Sequence, residues 1–218
     1  VAYKKGIDKV AHSEKGEAEA AKKSNDQLAK VTDKGVHFRS HIDGQKLMMT
    51  AESSMELQHQ IGADIHMAFD ECPAPLSERS YILESLNRTH AWADRCLVRH
   101  DELNAAHAKK GEHLQALYGI VQGARHEDLR KASAQYLGDK HFDGYGIGGV
   151  FEPGEIPTVV RWTNETLPET KPRHLLGMGA QPADLFLGVE YGVDTFDCVA
   201  PTRQARNGAI YTKDGRIN

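Results

Sequence analysis

Apolar and polar positions alternate in short runs along most of the chain. β-like runs occur at VHFRSHI (36–42), DIHMAFD (64–70), LYGIVQG (117–123), GYGIGG (144–149), RHLLGMG (173–179) and TFDCV (195–199). Most of the intervals between them carry helical patterning. Ser53-Ser54-Met55-Glu56 reads as a capping box that opens a short helix ending near Gly62. Ser80 to about Lys110 reads as one long helix, with Ile82, Leu86, Ala93 and Leu97 on one face. Glu127 to Leu137 and Pro182 to Tyr191 read as shorter helices. Strand then helix, repeated, predicts parallel strands joined by crossover helices. Residues 1–34 break this pattern. They are lysine-rich and polar, and they predict a surface insertion or loop, partly helical through EAEAAKK. The α/β pattern occupies residues 35–218.

The strands share their endings. Asp70, Gln122, Gly149, Gly179 and Asp197 each close an apolar run. In a parallel barrel the strand C-termini converge on one rim, where the chemistry sits. Turn formation alone explains the glycines, but it explains Asp70, Gln122 and Asp197 less well. About six strands fall short of the eight that close such a barrel. The expected fold is therefore α/β, a TIM-type (β/α)8 barrel that is incomplete in this chain.

Composition narrows the classes. A chain of 218 residues suits one sizeable core. A net charge of −4 argues against a general polyanion binder and leaves room for a local basic face. Cys72, Cys96 and Cys198 are odd in number and without tight spacing, so they predict no disulfide framework, and a reduced cytoplasmic protein is expected. No apolar run approaches the ~20 residues of a membrane span. The N-terminus has no signal-peptide core and no starting Met, so a piece of a longer protein is expected. Twelve histidines invite a metal reading, but His37 and His41 lie on a strand-like run where a spacing of four does not share a face. No Cys or His group has zinc spacing, and no metal ligands are expected within this chain.

Asp70 and Asp197 each follow a phenylalanine and each lie near a cysteine. A poorly solvated carboxylate can act as a nucleophile or accept from a planar, N–H-rich ligand. Two such acids at one pocket also resemble the pair that breaks glycosidic bonds. Either acid could instead cap a helix or turn. Gln122 offers a donor and an acceptor that suit a base edge, or a structural bond to a neighbouring strand. Gly148-Gly149 allows close backbone approach to a flat ligand, or a tight turn. Arg203 and Arg206, beyond the strand-breaking Pro201, present forks that fit phosphate oxygens or surface carboxylates.

FRSHIDG, GADIHMAFDECPAP, LYGIVQG, FDGYGIGG, KPRHLLGMG and GVDTFDCVAPTRQARNG, in this order and spacing, resemble the tRNA-guanine transglycosylase family over residues 35–218. FDEC and FDCVAPTRQARNG carry the specificity. The resemblance implies a TIM-type barrel that exchanges the wobble guanine of tRNA for a 7-deazaguanine through a covalent tRNA intermediate. It implies Asp197 as the nucleophile on the ribose anomeric carbon. Asp70 would read the purine N–H edge, with Cys72 lining the pocket. Gln122 and the Gly149 amide would bind the purine carbonyl, and the Val150 carbonyl would face the 7-substituent. Leu176 could pack on the purine face, and Gly177 would lie in the pocket wall. Met178, Gly179, Ala180, Gln181, Pro182, Ala183 and Asp184, with Thr202, Arg203, Gln204, Ala205 and Arg206, would hold RNA around the wobble base. A zinc-containing cytoplasmic homodimer acting on the tRNA anticodon loop is implied for the full-length family member.

The chain departs from the family pattern in places. The family's DSGGFQ motif, with its general acid/base aspartate, and its zinc motif of three cysteines and a histidine are expected outside these residues. This chain alone is therefore expected to lack turnover. Leu176 stands where Met is frequent, Val150 where Leu is frequent, and Gly123-Ala124 where two glycines are usual. Three rivals remain at this point. One is a non-catalytic, tRNA-binding partner subunit, which the retained Asp70 and Asp197 disfavour. Another is a barrel glycoside hydrolase, disfavoured by an aromatic content of 7%. The third is an archaeal-type enzyme acting elsewhere in tRNA.

Overall fold

The computed structural model describes residues 29–74, 76–149, 153–178 and 181–217. The chain divides into two compact units at Thr50/Ala51.

In the first unit, β1 (Ala29–Thr32), β2 (Gly35–Arg39) and β3 (Lys46–Met49) form an antiparallel sheet in the order β1-β2-β3. The run VHFRSHI is thus not a strand of the parallel sheet, contrary to the sequence expectation. The reason is connection length. Thr32 pairs with Gly35 across a two-residue turn, and Arg39 pairs with Lys46 after a six-residue one. A parallel pairing needs a crossover of a dozen residues or more. β1 also falls within the lysine-rich stretch read as a loop; the rest of that stretch, residues 1–28, lies outside the described residues.

The second unit is built on a parallel sheet. Helix α1 (Ala51–Ile61) leads into β4 (Ile65–Met67), then α2 (Arg79–Lys110), β5 (Ala116–Val121), α3 (Glu127–Gly138), β6 (Gly144–Ile147), α4 (Ile156–Asn164), β7 (Arg173–Leu175), α5 (Pro182–Glu190) and β8 (Thr195–Phe196). Helix α6 (Ala200–Arg206) and a hairpin of β9 (Ile210–Thr212) and β10 (Gly215–Ile217) follow. The sheet order is β4-β5-β6-β7-β8, the same as the chain order, and every pair is parallel. Each crossover therefore advances one strand in the same direction, without the reversal that marks a doubly wound sheet.

Residues 117–121 of β5 and all of β6 are buried, as strands covered on both faces must be. Their fit depends on glycine. A Cβ on Gly144 would meet the Tyr118 ring at 2.5 Å, and Tyr118 is its register partner. Helix α2 lays Ile82 and Leu86 against Ala124 and Leu129. Helix α4 packs Ile156, Val159 and Val160 on Ile147, Leu175 and Val193. Helix α1 starts two residues before the Ser53 that a capping-box reading selects. The segment carrying Arg203 and Arg206 is helical, with Pro201 in its first turn.

Candidate functional site

The strand registers define one edge. Val121 pairs with Ile147, Ile147 with Leu175, and Leu175 with Phe196. The next residue on each strand is Gln122, Gly148, Leu176 and Asp197, so these four follow one another along the C-terminal edge. Asp70 follows β4 on the same edge.

Helix α2 fixes the loop that carries Asp70. The Phe69 N–H donates to Cys96 Sγ (3.3 Å), and its ring lies 4.7 Å from that of Trp92. The Glu71 N–H donates to Thr89 Oγ1 (3.0 Å). The Glu71 carboxylate is buried, accepting from Arg88 Nε (2.7 Å) and Tyr81 O–H (2.6 Å). Asp70 is thereby held between two anchored neighbours. Its Oδ2 accepts from Gln122 Nε2 at 2.7 Å. Burial raises the Asp70 pKa above the ordinary carboxylate value, and the Gln122 bond only partly offsets it.

Gln122 is buried, and its Oε1 has no hydrogen-bond partner among the described residues. A buried acceptor left open needs an explanation, and a ligand donor is one. The amide's second N–H meets the Cys72 sulfur, a weak acceptor that a ligand oxygen can replace. Gly148 makes room for it, since a Cβ there would stand 2.5 Å from Gln122 Nε2. Cys72 lies beside the same amide and the Gly149 N–H; desolvation of its sulfur, followed by the Asp70 charge, raises the thiol pKa. Leu176 reaches the space over Gly146, 3.3 Å from where a Cβ would stand. Asp70, Cys72, Gln122, Gly149 and Leu176 thus line one patch around the β4–β7 strand ends.

Asp197 stands at the far end of the edge. Its Oδ1 accepts the Gly177 N–H (2.9 Å) and lies 3.1 Å from His174 Nε2. Gly177 adopts φ 68°, a left-handed conformation that turns its N–H toward this carboxylate. No hydrogen bond among the described residues reaches Oδ2, and the side chain is 53% exposed. His174 is a site neighbour that the strand-end rule misses. It sits within β7, and its Nδ1 lies 2.8 Å from Thr195 Oγ1. Strand alternation was the available signal, because His174 and Leu176 share a face.

The remaining candidates divide. Met178 is half-buried against the α4 core. Gln181, Pro182 and Ala183 are exposed at the start of α5, whereas Asp184 is buried and accepts the Gln181 N–H (2.9 Å), closing that helix start. Thr202, Arg203, Ala205 and Arg206 are exposed on α6 and Gln204 is half-buried. Neither arginine forms an ion pair among the described residues. Val150, Gly179 and Ala180 lie outside the described residues. A cleft of about 260 Å³ lined by Glu52, Asp94, Arg95, Val98, Arg99 and Glu102 touches none of these strand ends and holds ion pairs of its own.

Sequence spacing gave no metal ligands, yet His59, His66 and His100 converge in the folded chain, buried behind the sheet. They come from α1, β4 and α2, so no local spacing could announce them.

The parallel sheet is wound in chain order and carries a polar, acid-bearing C-terminal edge. The family model of queuine tRNA-ribosyltransferase matches residues 8–218. The queuine tRNA-ribosyltransferase of Shouchella clausii is 46% identical over 193 residues, covering 87% of this chain and 49% of that protein. That of Fusobacterium nucleatum is 47% identical over 195 residues, 87% of this chain and 50% of that protein. That of Bacillus subtilis is 47% identical over 191 residues, 86% and 48% respectively. The chain belongs to the queuine tRNA-ribosyltransferase family, and it spans about half the length of the curated relatives it matches.

Proposed function

We propose that the full-length protein is a tRNA-guanine transglycosylase with a TIM-type barrel, to which the five parallel strands contribute, and that Asp197 is its nucleophile. The observation that carries the reading is the buried Gln122 amide. It is tied to Asp70 on one side and open at Oε1, on the same sheet edge as Asp197. Asp70 and Gln122 Oε1 accept from the purine N–H groups. The second Gln122 N–H and the Gly149 N–H donate to the purine carbonyl.

Asp197 acts through Oδ2. A lone pair on that oxygen attacks the ribose anomeric carbon and forms an ester-like C–O bond. The C–N bond to guanine breaks, and its electron pair leaves with the base, which takes up a proton. The incoming 7-deazaguanine, losing a proton, then displaces Asp197 from the same carbon. The Gly177 N–H and His174 hold Oδ1, so the attacking oxygen keeps one orientation. Arg203 and Arg206 steady the RNA backbone.

The pair used by retaining glycosidases stands about 5 Å apart. Asp70 and Asp197 instead follow the two outermost strands of the sheet, with three strands between them, which favours separate roles. A cytoplasmic homodimer acting on the anticodon loop is part of the same proposal, and among the described residues no helix is long and apolar enough to cross a membrane. Among the described residues Cys72, Cys96 and Cys198 form no disulfide, and the zinc implied by the family would be held by that family's own motif of three cysteines and a histidine.

The test uses the full-length protein, substrate tRNA and labelled guanine. Wild type should exchange guanine and yield a denaturation-resistant protein–RNA adduct, and Asp197→Asn should do neither. An Asp197→Asn variant that still forms the adduct and exchanges guanine would remove Asp197 from this role.

A further inference from the structure

Behind the sheet, on the side away from the pocket, three histidines meet. His66 lies in β4, where alternation sets it opposite Met67, whose sulfur faces Gly146. His59 comes from α1 and His100 from α2. The exposures of His66, His59 and His100 are 4%, 6% and 4%, so the cluster is closed to solvent. His59 Nε2 lies 3.1 Å from His100 Nδ1, and His66 Nε2 lies 3.0 Å from the same atom. All three nitrogens are within 4.8 Å of one another.

Hydrogen bonding alone serves this arrangement poorly. An imidazole nitrogen carries either one N–H or one lone pair. His100 Nδ1 therefore cannot make two good bonds at once. Three converging nitrogens with one shared proton are under-satisfied; three lone pairs on one cation are not.

We propose that His59 Nε2, His66 Nε2 and His100 Nδ1 bind a divalent transition-metal ion that ties α1 and α2 to β4. Ligand nitrogens about 2.0–2.1 Å from a tetrahedral zinc stand about 3.4 Å apart, close to the two short separations here. An all-imidazole set suits Zn²⁺, Co²⁺, Ni²⁺ or Cu²⁺ and not Mg²⁺ or Ca²⁺. Asp143 and Asp101 lie within electrostatic range of the cluster and compensate part of the ion's charge. His107, its ring centre 5.2 Å from that of His59, adds a fourth imidazole beside the cluster. The site is structural. β4 runs directly into the loop that carries Asp70, so the ion would anchor the pocket from below.

Asn104 makes the site testable in both directions. Its amide orientation is set by Gln115, whose N–H donates to Oδ1 (3.1 Å) and whose carbonyl accepts from Nδ2 (2.8 Å). Nδ2 then faces His100 Nε2 at 3.0 Å. A metal on His100 Nδ1 puts the proton on Nε2, against that donor. Asn104→Asp replaces the donor with an acceptor and completes a carboxylate–histidine–metal relay.

Metal-stripped full-length protein is titrated with Co²⁺ and followed by visible absorption. Wild type should take up two equivalents: one at the family's cysteine motif, marked by thiolate charge-transfer bands, and one at this site, marked by d–d bands that grow without further charge-transfer intensity, and this second uptake is the one followed. His66→Met, which fills the space with an apolar side chain, should weaken uptake on the order of 100-fold or more, and His100→Gln should do the same. Asn104→Asp should tighten it by roughly 10-fold or more. Wild type that takes up no equivalent beyond the thiolate-bearing one overturns the proposal. So does unchanged uptake in either histidine variant that keeps the wild-type circular dichroism.

Discussion

Gly148 and Asp70 both bear on Gln122 Nε2. A methyl group at Gly148 would press on Gln122 Nε2 at 2.5 Å and on Ile120 Cγ2 at 2.9 Å. The amide can move only by leaving Asp70. Gly148→Ala should therefore raise the KM for guanine about tenfold and change kcat less, a loss of one positioned hydrogen-bonding group; steady-state exchange kinetics measure it. Asp70 carries a pH signature of its own. Burial raises its pKa, so its carboxyl takes up a proton at a higher pH than an exposed aspartate does. The protonated form loses acceptor capacity, so guanine binding should weaken as the pH falls through this raised value. Stability moves the other way. Between the unfolded and folded pKa values the native state binds more protons than the unfolded chain, so this group's contribution to stability falls as pH rises. Asp70→Asn should accordingly raise Tm at neutral pH while weakening guanine binding and flattening its pH profile. A lower Tm together with an unchanged binding profile would contradict the assignment.

Helix α2 is the element that builds the acid's setting. It supplies Tyr81, Arg88, Thr89, Trp92 and Cys96 to the loop after β4. Arg88 is the sensitive point, because its partner Glu71 is almost fully buried. Arg88→Met should destabilise the protein by about 3–5 kcal/mol, since it strands a buried carboxylate; adding Glu71→Gln should recover much of that loss. Denaturant unfolding of the single and double variants reads the difference. The bounds of α2 were legible because neither proline nor glycine interrupts residues 80–110 and Gly111 ends the helix in the left-handed region. The five parallel strands were legible as apolar runs closed by polar or glycine residues. VHFRSHI looked alike but reverses within a few residues, which no single-strand pattern records. Helix α4 was hidden by Thr158-Val159-Val160, a β-branched run that becomes helical when Val159 and Val160 face the core. The histidine cluster was hidden by distance along the chain: its hydrogen-bonded partners are 34 and 41 residues apart.

At the scale of the whole molecule, a net charge of −4 must be reconciled with the polyanionic substrate proposed above. The answer offered by the fold is placement. Most described arginines are spent on the protein itself: Arg88, Arg95, Arg99 and Arg125 pair with acids. Arg130 is buried against the Ala124 and Val121 carbonyls. Arg203 and Arg206 differ, standing exposed in the last turn of α6, just beyond Asp197 in the chain and without an acidic partner among the described residues. On the proposed function, these two guanidiniums would meet the phosphates flanking the attacked nucleotide. Each phosphate contact releases counterions, so each arginine should contribute to the salt dependence of tRNA affinity. Arg203→Ala and Arg206→Ala should each flatten the slope of log affinity against log salt by about 0.7–0.9. Arg161→Ala is the control, because Arg161 lies on α4 near Glu165 and should leave the slope unchanged. A slope indifferent to Arg203 and Arg206 would move the RNA track off α6. Equal flattening by Arg161 would mean that the slope reports overall charge, and the local basic face would lose its role in positioning the RNA.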